Sequence, residues 1–104
     1  MSSELTIITC ARNEEKNISN AINSILNQTF KNFKYIIVDD QSTDKTKSII
    51  LDFAKKDKRI VYKFFPEPHN GKHRSGLARN YGLKNVQSKY IAVLDADDTC
   101  DKLR

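Results

Sequence analysis

The chain has 104 residues, of which 38% are hydrophobic and 30% are charged. This length and composition are typical of one globular domain with its own core, and they exclude two domains of ordinary size. No apolar run approaches the length of a membrane span, and the first nine residues lack the basic and apolar regions of a secretory signal. We therefore expect a single domain over residues 1–104 and a cytoplasmic setting.

The chain carries a small excess of positive charge. Lys and Arg outnumber Asp and Glu by 18 to 13, which gives a formal net charge of +5. Such a charge favours an anionic partner, but scattered lysines are more typical of an ordinary solvated surface. Basic residues do not interleave with the aromatic ones at a regular period, so we predict no nucleic-acid partner. Cys10 and Cys100 lack zinc-ligand spacing and are predicted to be free thiols.

Four short apolar runs alternate with three stretches of helical periodicity. The runs are rich in β-branched and aromatic residues and predict strands at residues 5–9, 35–39, 59–65 and 90–94. Apolar residues at helical spacing lie between these runs, and they are Ile18, Ala21, Ile22, Ile25 and Leu26, then Ile49, Ile50, Phe53 and Ala54, then Leu77, Ala78, Tyr81 and Val86. The predicted order of elements is β-α-β-α-β-α-β.

Polar residues that precede the first two helical stretches are predicted to cap them. Asn13 is the predicted N-cap of the first helix, with Glu14 and Glu15 in the first turn, where the helix dipole favours negative charge. Ser42 or Thr43 is the predicted cap of the second helix.

Strands that alternate with helices form a parallel sheet with right-handed crossovers. We therefore predict an α/β, Rossmann-like half-fold with a mainly parallel sheet in the strand order 3-2-1-4. In this order the winding reverses between the first and fourth strands, and ligands bind beyond the carboxyl ends of strands at such a point.

Polar segments follow three of the predicted strands. They are CARNEE after the first strand, DDQSTD at the end of the second and DADDT at the end of the fourth. Acids at two neighbouring strand ends, with an arginine at a third, predict a site for a metal ion and a diphosphate. The side chains of Asp95 and Asp97 would point the same way, about 6.5 to 7 Å apart in an extended segment, with Asp98 beginning the turn. Such oxygen ligands suit Mg²⁺ and Mn²⁺, and the alternative is that these aspartates only cap the next turn.

Two long segments carry a resemblance to a known family. The segments TIITCARNEEKNISNAINSILNQTFKNFKYIIVDDQSTDKT and HNGKHRSGLARNYGLKNVQSKYIAVLDADD resemble successive portions of family 2 glycosyltransferases, which have the GT-A fold. The second segment ends in a sequence similar to the Asp-x-Asp metal motif of that family. The resemblance implies a Rossmann-like GT-A half-domain that binds a nucleotide-diphosphate sugar, with a UDP-sugar as the first choice of donor and Mn²⁺ or Mg²⁺ as the cofactor.

The resemblance also implies roles for individual residues. The nucleotide-binding positions that match the family are Cys10, Ala11, Arg12, Asn13, Glu14, Asp39, Asp40, Arg79 and Asp95. The metal-binding positions that match are Asp97 as the first choice, then Asp98, together with Asp95. Many family members have Pro-x-Tyr-Asn where this chain has Cys10 to Asn13, so Arg12 replaces an aromatic ring and the preferred base stays open.

The family mechanism needs more residues than this chain contains. In similar enzymes a later half carries the acceptor site and a carboxylate base, which deprotonates the acceptor hydroxyl for attack on the sugar with inversion. We therefore expect a truncated domain with no catalytic base of its own, inactive as an isolated chain, and an acceptor that the sequence does not identify. For a longer natural protein the expected setting includes the inner face of the membrane. The uncovered edge of the fourth strand predicts self-association or marginal stability of the chain alone.

Two other functions stay open at this point. The chain could be a non-catalytic fragment that only binds a nucleotide sugar. It could also be a phosphoacceptor receiver domain, in which an acid pair including Asp40 binds Mg²⁺ and Asp95 is phosphorylated.

Two histidines, His69 and His73, are four residues apart, a spacing that could bind a metal on a helix. They lie in a Pro- and Gly-containing loop, so these histidines are predicted to face solvent rather than a metal.

Overall fold

The structure is a computed structural model that describes residues 4–29, 31–67, 75–84 and 86–95. Within these residues four strands alternate with three helices. The strands are β1 (Leu5–Ala11), β2 (Phe33–Asp39), β3 (Ile60–Phe64) and β4 (Tyr90–Val93), and the helices are α1 (Ile18–Leu26), α2 (Thr46–Lys56) and α3 (Ser75–Gly82). The predicted element order is confirmed.

The four strands form one parallel sheet in the order β3-β2-β1-β4. This is the predicted order, and the winding reverses between β1 and β4 as expected. The pairing of β1 with β2 continues to Ala11 opposite Asp39, so β1 ends two residues later than predicted, and β2 begins two residues earlier than predicted, at Phe33. The ends of β2 and β4 therefore lie on either side of the end of β1.

The two central strands are covered on both faces. Ile7 and Tyr35 belong to the core that includes the buried side of α1 and Ile50 of α2. Ile8 and Val38 point the other way, into a second core with Ala78 of α3. Burial on both faces explains why β1 and β2 read as continuous apolar runs rather than as alternating patterns.

Helix α3 approaches the sheet with its backbone at Gly82. A Cβ atom added to Gly82 would lie 2.4 Å from Cγ2 of Val38 and 2.7 Å from Cδ1 of Ile8. Contacts this short require a neighbouring atom or the helix to shift, so glycine allows the close approach at this position. The same test at Gly76, in the first turn of α3, finds no atom within 4 Å.

The predicted helix caps are wrong. Helix α1 begins at Ile18, with Asn17 at the N-cap and no acidic residue in its first turn. Glu14 belongs to a preceding turn, in which its carbonyl accepts hydrogen bonds from the N–H groups of Asn17 and Ile18. Asn13 instead has a φ of 54°, in the left-handed region that asparagine tolerates better than most residues. The N-cap of α2 is Lys45 rather than a serine or threonine.

The described helices are short. The longest, α2, has 11 residues. None of the helices in the described part of the chain has the length and apolar character needed to cross a bilayer.

Candidate functional site

The loops after β1 and β2 are joined at the carboxyl end of the sheet. We call residues 12–17 the first loop and residues 40–45 the second loop. The backbone N–H of Asn13 donates to the hydroxyl oxygen of Ser42 at 2.9 Å. The side-chain oxygen of Asn13 accepts a hydrogen bond from the N–H of Thr43 at 2.7 Å. The left-handed backbone of Asn13 thus serves a contact between loops, which replaces the predicted helix cap.

Further hydrogen bonds extend this junction to the start of α2. The N–H of Glu14 donates to Oγ1 of Thr46 at 2.8 Å, and the N–H of Glu15 donates to Oδ2 of Asp44 at 3.2 Å. Burial is the largest single influence and raises the pKa of Asp44, but the hydrogen bonds from Thr46 and from the N–H of Glu15 together outweigh it and lower the pKa overall. Asp44 is therefore a carboxylate at neutral pH and accepts these bonds as an ion.

Asp39 lies at the end of β2 with both carboxylate oxygens bonded. Its side chain is only 1% exposed. Oδ1 accepts a hydrogen bond from the N–H of Ser42 at 2.9 Å, and Oδ2 accepts one from the hydroxyl of Tyr62 at 2.6 Å. The carboxylate is thus fixed in direction by one donor from the second loop and one from β3.

Three predicted site residues, Arg79, Asp40 and Asp95, lie within electrostatic range of Cys10. Burial raises the pKa of the Cys10 thiol to about 11, Arg79 lowers it, and Asp40 and Asp95 raise it further. These residues belong to β1, to α3 and to the ends of β2 and β4, so the fold gathers them at the reversal of the winding. The site combines one guanidinium with two carboxylates beside a half-buried thiol, and that set can hold a ligand with both anionic and cationic parts.

The remaining predicted residues have different positions. Ala11 is buried and pairs with Asp39, whereas Arg12 is exposed in the first loop. The predicted positions that lie outside the described residues are Asp97, Asp98, His69, His73 and Cys100. Among the residues that the structure describes, no three His, Cys, Asp or Glu side chains are grouped so that they could hold a metal ion. Asp95 and Asp40 nevertheless offer carboxylate oxygens, the donors that Mg²⁺ and Mn²⁺ prefer.

Sequence reasoning missed the residues that support the site. Neither Tyr62 nor Thr46 is among the predicted site residues. Their partners lie far away in the sequence, Asp39 for Tyr62 and Glu14 for Thr46. A signal for Tyr62 was its alternation with Ile60 in β3, which places both side chains on the face covered by α1 and α2.

The environment of Cys10 leads to a pH-dependent prediction. A thiol with a pKa of about 11 is protonated at neutral pH, and only the thiolate reacts with iodoacetamide. In a Cys100→Ser variant at pH 8 we expect alkylation of Cys10 about a hundredfold slower than in urea, where the thiol pKa returns to about 8.5. The rate in the folded chain should still be rising between pH 9 and pH 11.

Arg79 supplies a control for this prediction. Because its positive charge lowers the pKa of Cys10, Arg79→Gln should slow the alkylation further at pH 8 to 9. Mass spectrometry of samples taken at increasing times measures the rate at which Cys10 is alkylated. Equal rates for folded and unfolded chains at pH 8 would contradict the described environment of Cys10.

Comparison with curated proteins shows the family. The model of Glycosyl transferase family 2 matches residues 6–104. An uncharacterized glycosyltransferase of Haemophilus influenzae is 42% identical over 94 residues, which are 90% of this chain and 36% of that protein. The chain spans between 10% and 37% of the length of the curated relatives that it matches.

Solved structures show the same fold. S. aureus TarS in complex with UDP-GlcNAc superposes with a TM-score of 0.78 at 28% identity, over 95% of this chain and 27% of that one. The mannosyltransferase PcManGT from Pyrobaculum calidifontis, in complex with GDP-Man and Mn²⁺, gives a TM-score of 0.81 at 21% identity, over 95% of this chain and 29% of that one. The GT-A fold is therefore confirmed.

The topology and the family match together decide between the open alternatives. A receiver domain has the strand order 2-1-3-4-5, whereas the order here is β3-β2-β1-β4, so the receiver interpretation is wrong. The family model matches the chain from residue 6 to its last residue. The chain therefore belongs to glycosyltransferase family 2.

Proposed function

We propose that the chain binds the nucleotide-diphosphate sugar of a metal-assisted glycosyltransferase, and that a longer protein transfers the sugar to an acceptor. The observation that carries the proposal is the gathering of Arg79, Asp40 and Asp95 around Cys10. These residues lie where α/β sheets bind ligands, beyond the carboxyl ends of strands at a reversal of the winding. The complex of the similar TarS with UDP-GlcNAc supports this class of donor.

Each side chain of the site suits one part of such a donor. Asp39 and Asp40 would bind the base and the ribose, because carboxylates accept hydrogen bonds from ring N–H and hydroxyl groups. Arg79 would meet the diphosphate, since a guanidinium pairs well with phosphate oxygens. Asp95 would bind the ribose on the side of β4. The exposed Arg12 is available to stack on the base in place of the aromatic ring found in many relatives.

The metal would be held by Asp97, Asp98 and Asp95, with Mn²⁺ or Mg²⁺ as the ion. When bound, the ion would neutralise charge on the nucleoside diphosphate that leaves in the reaction. Asp95 lies two residues after the end of β4 and is exposed, so its carboxylate is accessible for this purpose. We place the acceptor site and the carboxylate base in the additional length of the relatives, so the isolated chain should bind the donor without turning it over.

Calorimetric titration of UDP tests this function. In the presence of Mn²⁺ we expect the chain to bind UDP. We expect Asp97→Ala to lose the binding, because the ion that would neutralise the diphosphate is then no longer held. Asp52→Ala serves as the control, since Asp52 is exposed in the second half of α2 and carries the same charge. GDP is the second titrant, because the base is not fixed by the family. A folded chain that binds neither UDP nor GDP with Mn²⁺ would refute the proposal.

We also propose that the isolated chain associates with a second copy through β4. In this short strand Tyr90, Ile91 and Val93 are 56%, 49% and 53% exposed, and one edge of the strand is not paired within the described sheet. An apolar strand edge of this kind pairs readily with another chain. Light scattering should show a mass that rises with concentration, and Ile91→Lys should reduce the rise. A monodisperse monomer at every concentration would contradict the association.

A further inference from the structure

Gln41 lies in the second loop with a backbone conformation that glutamine rarely adopts. Its φ is 58°, in the left-handed region that glycine and asparagine tolerate best. A glutamine at this position is disfavoured relative to glycine, which points to a role for its side chain.

The side-chain amide of Gln41 bonds to the chain that follows β3. Its Nε2 donates to the carbonyl oxygen of Phe65 at 3.2 Å and also to the carbonyl oxygen of Glu67. An amide NH₂ group has two hydrogens, so one glutamine can serve both carbonyls. The N–H of Phe65 donates to the carbonyl oxygen of Asp39 at 3.0 Å. Both backbone polar groups of Phe65 are therefore bonded to the end of β2 and the start of the second loop.

Phe65 extends this attachment to α3. Its side chain is 3% exposed and belongs to the core that includes Ala78. The centres of the rings of Phe65 and Tyr81 are 5.4 Å apart, a distance typical of a favourable aromatic pair. Ala78 and Tyr81 lie on either side of Arg79 in the sequence of α3. The second loop is thus connected, through Gln41 and Phe65, to the helix that carries Arg79.

We infer that Gln41 is a positioning residue that couples the second loop to α3 and so holds Arg79 toward the diphosphate of the donor. The inference rests on the proposed function, because that function assigns the diphosphate to Arg79. It adds a residue that acts without touching the ligand. Without the amide of Gln41, residues 65–67 have two hydrogen bonds fewer to the second loop, and α3 loses part of its constraint.

A coupling between Gln41 and Arg79 can be distinguished from a general effect on stability. A residue that only stabilises the fold would change nucleotide binding by the same factor whether or not Arg79 is present. A residue that acts through Arg79 has nothing to position once the guanidinium is removed. Single and double variants of these two residues therefore measure the coupling.

The test uses Gln41→Met, which keeps the length of the side chain and removes its amide. Amide shifts in ¹⁵N spectra, recorded with Mn²⁺ replaced by Mg²⁺, give the affinity for UDP or for GDP, whichever the wild-type chain binds more tightly. We expect Gln41→Met to weaken binding about tenfold, as for one lost hydrogen bond to a charged group. In an Arg79→Gln chain the same substitution should weaken binding by less than about twofold.

Gln28→Met is the matched control. Gln28 is 3% exposed, and its Nε2 donates to the carbonyl oxygen of Ser24 at 3.0 Å. The substitution therefore removes the same kind of amide-to-carbonyl bond, in the segment between α1 and β2, at the opposite end of the sheet. Gln28→Met should keep the affinity for the nucleotide. Circular dichroism establishes that each variant is folded.

The possible outcomes separate the inference from the proposed function. If the wild-type chain binds neither UDP nor GDP, the proposed function fails and the inference fails with it. If the wild-type chain binds a nucleotide and Gln41→Met keeps the affinity, only the inference is overturned. The inference is also overturned if Gln41→Met weakens binding by the same factor with and without Arg79→Gln.

Gln41→Gly covers the case in which Gln41→Met does not fold. Glycine adopts a φ of 58° readily, so an improved backbone offsets the loss of the amide in the folded chain. Gln41→Gly should weaken nucleotide binding as Gln41→Met does, and this effect should also disappear in the Arg79→Gln chain. A Gln41→Gly chain with the affinity of the wild type would contradict the role of the amide.

Discussion

Asp39→Asn is expected both to destabilise the chain and to weaken nucleotide binding. The carboxylate of Asp39 accepts hydrogen bonds from Ser42 and Tyr62 while 1% exposed. An asparagine must turn its NH₂ group toward one of these donors, which leaves a buried donor unsatisfied and costs about 1–3 kcal/mol of stability. Nucleotide binding should fall because Asp39 holds the second loop through Ser42 beside the proposed site.

Urea unfolding and calorimetry measure the two effects. Asp52→Asn is the matched control, because it makes the same chemical change on the exposed surface of α2, where substitutions usually change stability by less than about 0.5 kcal/mol. The unfolding midpoint of Asp39→Asn should fall clearly below that of Asp52→Asn. Equal midpoints would show that the hydrogen bonds of Asp39 contribute nothing to the fold.

Gly82→Ala is expected to have the second large effect. A Cβ atom at residue 82 would meet Val38 at 2.4 Å and Ile8 at 2.7 Å, so α3 must move away from the sheet. Overpacking of this kind costs about 1–3 kcal/mol, which exceeds the gain of at most about 1 kcal/mol from replacing glycine in a helix. Arg79 lies in the same helix, so its displacement should also weaken binding of the nucleotide diphosphate.

Gly76→Ala provides the comparison within the same helix. Because no atom lies within 4 Å of a Cβ at Gly76, the substitution should leave stability unchanged or raise it slightly. The unfolding midpoint in urea should therefore fall for Gly82→Ala and should not fall for Gly76→Ala. A Gly82→Ala variant as stable as Gly76→Ala would contradict the close approach of α3 to the sheet.

The sheet could be predicted because its signals are local. The apolar runs of β1 and β2 are continuous, since both faces of these strands are covered, and the alternation with helices then predicts parallel pairing. The order β3-β2-β1-β4 is the usual order of such a half-fold. The gathering of Arg79 and Asp95 near Cys10 follows from that order, because parallel strands bring their carboxyl ends to the same end of the sheet.

The loops could not be predicted in the same way. Asparagine often caps helices, but the hydrogen bonds of Asn13 go to Ser42 and Thr43 in another loop. Local sequence shows that Asn13 can accept and donate hydrogen bonds, and only the assembled fold shows with which partner. The same holds for Tyr62, whose bond to Asp39 depends on the neighbouring positions of β2 and β3. The assignments of Asp97 and Asp98 stay predictions, since both lie outside the described residues.

The junction between the first and second loops has a consequence for the energetics of ligand capture. The hydrogen bonds of Asn13 and Glu14 that hold the two loops together are all made between residues of the chain itself. A ligand that enters a preorganised site does not have to order these backbone segments, and ordering a residue costs about 1–2 kcal/mol of conformational entropy. Association with the donor should therefore proceed without a slow rearrangement of these loops, with similar amide exchange protection at Asn13 and Thr43 before and after binding.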